Sequence, residues 1–312
     1  MEKIIQKINN SKNIALFAHT NADPDALGSL GAMYFALKKI GKQCTIFLNE
    51  KPSWKFDFLS LQPKYEFDGQ DYDLFLSVDV STSNRLGIFE EEFLKHQNTV
   101  AIDHHMSRTS FATLEFVDDQ SSNCDILFDL FEKMQIEIDQ NIANALYLGI
   151  VGDTGGFMFS NTTPQTHIHA SKLVGYGADF NKINQLLFMT RDYEEVVLMQ
   201  RVISRMEIFD NVAICYVTEK DKKELQIQNL NSSDLVNVIK SIKGIEIAAL
   251  IKQIKGKNYS ISLRSSENFD VASFASKFGG GGHIRASGMV LVGSLAQVKH
   301  ILKKELIAFG KK

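Results

Sequence analysis

Residues 13–29 read NIALFAHTNADPDALGS, and this stretch decides the fold. The apolar run at 13–18 has the length of one strand. A run without polar alternation suits a strand covered on both faces by helices. From about residue 26 the period changes: Leu27, Leu30, Met33, Phe35 and Leu37 follow a helical pattern that extends to about Ile40. Between the two segments lie His19, Asp23 and Asp25, with Pro24 separating the carboxylates. Strand, donor-rich turn and helix make the first half of a βαβ unit, and in an open parallel sheet ligands bind at the carboxyl ends of the strands.

Working outward, further strand patterns fall at 44–48, 74–78 and 99–102, and helical patterns at 125–134, 140–151 and 164–176. Together they predict a mostly parallel, Rossmann-like α/β domain over residues 1–190. A helical stripe through Val196, Val197, Met199, Val202, Ile203 and Met206 has no strand before it, so residues 191–209 read as a helical connector. Beyond it, strands are expected at 212–217, 245–254 and 259–263. The last two are read as a hairpin, with Asn258 in the turn after Gly256-Lys257. Helices at 271–278 and 294–306 complete a smaller α+β domain over 210–312. Two domains agree with 312 residues at roughly 100–200 residues per domain.

Composition narrows the function. Hydrophobic residues make up 44% and charged residues 23%, which excludes a predominantly disordered chain. With 34 Lys plus Arg against 37 Asp plus Glu, the net charge is −3. A binder of long polyanions normally carries a basic excess, so a nucleic-acid substrate would have to be short or held by a local patch. Cys44, Cys124 and Cys215 are widely spaced and form no CxxC pair, which argues against a disulfide framework or a thiolate zinc site and favours a reducing cytoplasm. Neither a signal-peptide core nor a membrane-spanning apolar run is expected.

The chemistry-bearing residues fall where strands or helices end. His19, Asp23 and Asp25 follow the first strand, Asp79 follows 74–78, Asp103-His104-His105 follows 99–102, and Asp153 follows the helix near Val151. Singly, an Asp after a strand is commonly a turn or cap residue, and a lone His is commonly structural. Four such segments together point to a metal centre. Asp23, Asp25, Asp79 and Asp153 bring four negative charges, which two divalent cations balance; without metal, some of these carboxylates would have to take up protons. Imidazole plus carboxylate suits Mn²⁺, with Mg²⁺, Co²⁺, Fe²⁺ and Zn²⁺ as alternatives. His96, His167, His169 and His300 belong to no motif and are read as surface or structural residues.

Residues 19–29 (HTNADPDALGS), 78–87 (VDVSTSNRLG), 103–105 (DHH) and 152–157 (GDTGGF) resemble the four motifs of the DHH phosphoesterase superfamily. Residues 278–288 (FGGGGHIRASG) and 262–265 (SLRS) resemble its DHH-associated C-terminal domain. Length and two-domain form are similar to the NrnA-type oligoribonucleases (nanoRNases), which also act as phosphatases of 3′-phosphoadenosine 5′-phosphate (pAp). The first motif departs from the family pattern at Ala22 and Pro24 but keeps every ligand.

This resemblance implies a set of roles. His19, Asp23 and Asp79 would hold one ion, and Asp25, Asp79, His104 and Asp153 the other, with Asp79 bridging. His105 would approach the substrate, Asp103 would orient the site, and Arg85 would pair with a carboxylate or phosphate. Arg264, Ser265, Gly280, Gly281, Gly282 and His283 would bind substrate from the C-terminal domain. The implied reaction is in-line attack on phosphorus by a hydroxide shared between the ions. It would release nucleoside 5′-monophosphates from oligoribonucleotides a few nucleotides long, and AMP and phosphate from pAp. A homodimer is an expectation of the same resemblance. The alternatives are a cyclic di-AMP or pApA phosphodiesterase, a DHH-type pyrophosphatase, whose basic Ser-Arg-Lys type motif is replaced here by GGGGHIRASG, a RecJ-like exonuclease, or a nucleotide sensor without turnover.

Overall fold

A computed structural model describes residues 1–227, 232–266 and 268–310. The chain divides into two compact units, Met1–Thr190 and Arg191–Lys312.

In the first unit, helix α1 (Glu2–Asn10) leads into β1 (Asn13–Phe17), α2 (Pro24–Lys39) and β2 (Gln43–Phe47). Strand β3 (Leu74–Val78), helix α3 (Glu90–Lys95), β4 (Thr99–Asp103) and β5 (Leu114–Val117) follow. Helices α4 (Asn123–Lys133), α5 (Gln140–Asp153), α6 (Pro164–Gly175) and α7 (Phe180–Asn184) close the unit. The five strands form an all-parallel sheet in the order β2-β1-β3-β4-β5. Strand order reverses between β1 and β3, the switch point at which such sheets place their ligands. One sheet face carries an aromatic cluster in which Phe17 touches Phe47, Phe75, Phe89 and Phe93. The other face packs on α1, α2 and α4, and α5 lies over α2 and α4; Ile14, Leu16, Leu30 and Leu146 of this core are fully buried.

The second unit opens with α8 (Tyr193–Ser204), β6 (Glu207–Phe209), β7 (Val212–Val217), α9 (Glu219–Glu224) and α10 (Ser232–Lys240). It continues with β8 (Ile247–Lys255), β9 (Asn258–Ser265), α11 (Val271–Ser276), β10 (Gly281–His283), β11 (Ala286–Val292) and α12 (Leu295–Gly310). Its mixed sheet runs β10-β11-β9-β8-β7-β6, with only the β7–β8 pair parallel.

Several expectations from the sequence need correction. The helix read over 193–208 stops at Ser204, because Glu207–Phe209 pairs antiparallel with β7. Leu198 and Val202 pack with Ala213 and Cys215, so this helix is part of the second unit's core. Asn258 opens β9 opposite Lys255, leaving Gly256-Lys257 as the two-residue turn, with Gly256 at φ +59°. Asp103 is the last residue of β4 and Asp153 the last of α5; neither lies beyond its element. All three cysteines are free thiols, and Cys124 and Cys215 are buried. No helix among the described residues is long and apolar enough to cross a membrane.

Candidate metal centre

The donors converge at the carboxyl edge of the parallel sheet. His19 leaves β1, Asp79 follows β3 directly, and His104 follows β4. Asp25 lies in the first turn of α2. That helix starts where it does because Asp23 caps it, accepting hydrogen bonds from the backbone N–H groups of Asp25 (3.1 Å) and Ala26 (3.0 Å), with Pro24 in the first turn. The departure at Pro24 therefore suits the helix start. Asp79 adopts φ +58°, a conformation non-glycine residues rarely take, as the chain turns away from β3.

Two sets of donors share Asp79. His19 Nε2 lies 3.6 Å from Asp23 Oδ2 and 3.5 Å from Asp79 Oδ2. His104 Nε2 lies 3.5 Å from Asp79 Oδ1, 3.6 Å from Asp153 Oδ2 and 3.9 Å from Asp25 Oδ2. The ligand atoms of His19, Asp23 and Asp79 lie within 4.8 Å of one another, as do those of Asp25, His104 and Asp153. Asp79 Oδ1 is buried and accepts no hydrogen bond, a costly state for a carboxylate oxygen unless something cationic meets it. The donors are all imidazole nitrogen or carboxylate oxygen, as hard to borderline divalent ions require. The residues fit a pair of such ions.

Electrostatics agree. Burial would depress the imidazole of His19, yet the Asp23 and Asp79 carboxylates outweigh it and raise the pKa to about 10. Burial is likewise overcome at His104, which Asp153, Asp25 and Asp79 raise to about 9. Burial and the Asp79 charge push Asp25 up to about 7, and burial with the Asp25 charge raises Asp153 well above the carboxylate range. Without metal, the cluster holds protons where cations would sit.

The surroundings fix the ligand orientations. His104 Nδ1 pairs with the Gln120 carbonyl at 3.2 Å, which directs Nε2 into the cluster. Asp25 accepts the backbone N–H groups of Asn123 (2.6 Å) and Cys124 (3.0 Å) at the start of α4. His105 Nδ1 lies 2.8 Å from Asp103 Oδ1 and 3.4 Å from Asp79 Oδ1. Burial would raise Asp103, but its bond to His105 holds it below the usual carboxylate range, so the ionised oxygen accepts and Nδ1 carries the proton. Arg108 stands behind, with Nε 3.7 Å from Asp103 Oδ2 and Nη2 2.9 Å from Glu115 Oε2. Burial would raise Asp23, but its bond to His19 holds it well below the usual carboxylate range, and the charge of the half-buried Arg85 acts in the same direction.

The remaining expected residues lie in the second unit. Cross-strand register puts His283 opposite Ala286 and Ala286 opposite Arg264, so the three form one row across β10, β11 and β9. Arg264 Nε donates to Asn237 Oδ1 at 3.0 Å, and the Ser265 hydroxyl donates to the Phe269 carbonyl at 2.5 Å. A side chain at Gly280 would bring its Cβ within 2.2 Å of the Gly288 carbonyl, and one at Gly282 within 2.6 Å of the Ala286 carbonyl. Gly281 has open space and is exposed. The glycine run is therefore strand as well as turn.

Sequence reasoning missed two glycines that shape the centre. Helices α2 and α5 approach so closely that a Cβ on Gly28 would lie 2.5 Å from the Ala145 carbonyl, and one on Gly149 would lie 2.5 Å from Asp25 Oδ1. Small residues four apart on α5, Ala145 and Gly149, are the signal that could have found this.

Comparison with known proteins agrees with this architecture. Residues 13–150 match the DHH family, N-terminal domain, and residues 209–309 match the DHHA1 domain. The chain thus carries a DHH-family N-terminal domain followed by a DHHA1 domain. It is 28% identical over 289 residues to the "Probable bifunctional oligoribonuclease and PAP phosphatase NrnA" of Streptococcus mutans, covering 91% of each chain. It is also 28% identical over 312 residues to the "Bifunctional oligoribonuclease and PAP phosphatase NrnA" of Thermus thermophilus, covering 95% of this chain and 91% of that one. An exopolyphosphatase-related protein from Bacteroides fragilis shares the fold with a TM-score of 0.89 at 22% identity, over 99% of this chain and 95% of that one.

Proposed function

We propose that this protein hydrolyses the phosphoester bond on the 3′-oxygen of short oligoribonucleotides and of pAp, with two divalent cations, Mn²⁺ foremost and Mg²⁺ or Co²⁺ as alternatives. The observation that carries the reading is the Asp79 carboxylate, whose oxygens face His19 on one side and His104 on the other, 3.5 Å away in each case. His19, Asp23 and Asp79 would hold one cation; Asp25, Asp79, His104 and Asp153 the other. When bound, such a pair supplies Lewis acidity to a phosphoryl oxygen and acidifies water for attack on phosphorus.

The chain's own residues supply the rest. Asp103 keeps the proton on His105 Nδ1, so exchange of a proton with a substrate or leaving oxygen falls to Nε2. Arg85 supplies positive charge near Asp23, where a substrate phosphate would approach. The row of Arg264 and His283, with the exposed backbone of Gly281, would bind substrate, and Ser265, Gly280 and Gly282 hold that row in shape. One bond accounts for both substrates: the 3′-oxygen to phosphorus link is cut whether a nucleoside or nothing lies beyond the phosphate. The net charge of −3 suits a short substrate better than a long polyanion. A cytoplasmic location and a homodimer belong to the same proposal.

The test is turnover with Mn²⁺ and with chelator on pAp, a 5′-phosphorylated diribonucleotide, a long single-stranded RNA, cyclic di-AMP, pApA and pyrophosphate. Mn²⁺-dependent release of mononucleotide from the dimer and pAp, with the long RNA spared, supports the proposal. Turnover confined to pyrophosphate or to the cyclic dinucleotide and pApA would replace it with those activities. Nucleotide binding without any turnover would make the protein a sensor.

A further inference from the structure

Among the described residues, the segment 118–124 hydrogen-bonds His104 and Asp25 directly and Asp153 through Asn161, and makes no such bond to His19, Asp23 or Asp79. Its Gln120 carbonyl takes His104 Nδ1 at 3.2 Å. Its Asn123 and Cys124 amides take both oxygens of Asp25, at 2.6 and 3.0 Å. It reaches Asp153 through Asn161, whose Nδ2 donates to the Ser121 carbonyl at 2.9 Å and to the Asp153 carbonyl at 3.2 Å.

The segment is fixed from behind. Gln120 Nε2 donates to Asp129 Oδ2 at 2.9 Å, and the buried His169 lies between Asp129 (3.4 Å) and Asp125 (2.8 Å). The Ser121 hydroxyl donates to the Asn161 carbonyl at 2.8 Å, so Ser121 and Asn161 bond each other in both directions. The two acceptor carbonyls also settle which end of the Asn161 amide is nitrogen.

We propose that Asn161 and Gln120 are positioning residues for one cation subsite only. They hold residues 118–124 so that His104, Asp25 and Asp153 keep a common geometry, while the other subsite takes His19 from the end of β1 and Asp23 from the cap of α2, with Asp79 common to both. The inference rests on the metal-centre reading above. Its content is that the two subsites are separable by changes to residues that touch neither ion. Groups behind metal ligands typically influence affinity by roughly 10–100-fold.

The test titrates Mn²⁺ into the metal-free full chain, following the signal of free Mn²⁺ by electron paramagnetic resonance. The chains compared are wild type, Asn161→Ala, Gln120→Leu and Asp23→Ala. Wild type is expected to bind two ions. Asn161→Ala and Gln120→Leu should each weaken one ion by roughly 10–100-fold and leave the other at wild-type affinity. Adding Asp23→Ala to either should then weaken both. Circular dichroism and a thermal melt establish which variants fold, and if Asn161→Ala does not, Gln120→Leu carries the test. Equal weakening of both ions, or of neither, in a folded variant overturns the inference while leaving the metal centre standing. A wild-type chain that binds no Mn²⁺ overturns both.

Discussion

His104 Nε2 stands 3.5 Å from Oδ1 of Asp79, while the other oxygen of that carboxylate, Oδ2, faces His19 at the same distance. One side chain on a single residue of unusual backbone conformation thus joins the two donor sets. Asp79→Ala should abolish turnover and reduce Mn²⁺ stoichiometry or affinity at both subsites, because no neighbouring carboxylate reaches both. Steady-state kinetics with an equilibrium Mn²⁺ titration checks this, and near-normal turnover would sink the shared-carboxylate reading.

Metal uptake should release protons. In the metal-free cluster His19 titrates at about 10, His104 at about 9 and Asp25 at about 7. At neutral pH both imidazoles are therefore protonated, and the nitrogens that would bind metal are occupied. Cations displace these protons, so affinity should rise with pH from about 6 to about 10, as Asp25, His104 and His19 give up their protons in turn. Calorimetric titration in buffers of different ionisation enthalpy counts the protons released; a count of zero at pH 7 contradicts the arrangement.

His169 makes a separate, metal-independent prediction. Burial alone would lower its pKa, but Asp125 and Asp129 outweigh it and raise it to about 9 from 6.5. A raised folded-state value stabilises the fold fully below about pH 6.5, and the benefit disappears as pH climbs through 9. At about 1.4 kcal/mol per pKa unit, the contribution is bounded near 3 kcal/mol. The difference in melting temperature between wild type and His169→Gln should accordingly shrink from pH 6 to pH 9.5. His19 and His104 contribute with the same sign in both metal-free chains and cancel in that difference.

Gly149→Ala should cost stability although alanine is the better helix former by about 1 kcal/mol. The new methyl would lie 2.2 Å from Cys124 Sγ and 2.5 Å from Asp25 Oδ1. Overpacking of this kind costs about 1–3 kcal/mol. Because the intrusion displaces Asp25, a member of the proposed metal-binding set, Mn²⁺ affinity should fall along with the melting temperature. A variant with raised melting temperature and unchanged affinity would show that α2 and α5 can separate without cost.

The donors were legible because strand ends are marked by a change in periodicity, and His19, Asp79 and His104 sit at those marks. The parallel sheet followed from the same apolar runs. Strand β5 was not legible: Leu114–Val117 is four residues long and only half-buried, so it carries no distinctive run. Strand β10 was not legible, because Gly281-Gly282-His283 has little strand propensity, and pairing with β11 imposes the conformation. His169 was rightly set apart from the motifs, but its place between two aspartates arises from the docking of α6 on α4, which no local pattern records. Helix α9 did carry a signal, since Thr218 and Asp221 form a reciprocal cap, but its six residues are too short to show a periodic stripe.

The close approach of α2 and α5 bears on the order in which the protein becomes competent during synthesis. Asp25 leaves the ribosome early, but its carboxylate meets Cys124 and Gly149 only after α4 and α5 have emerged. Asp153, the last donor, closes α5. A nascent chain short of that residue already holds all five strands of the parallel sheet but lacks one donor, so the complete cluster forms only once α5 has emerged, before α6 and α7.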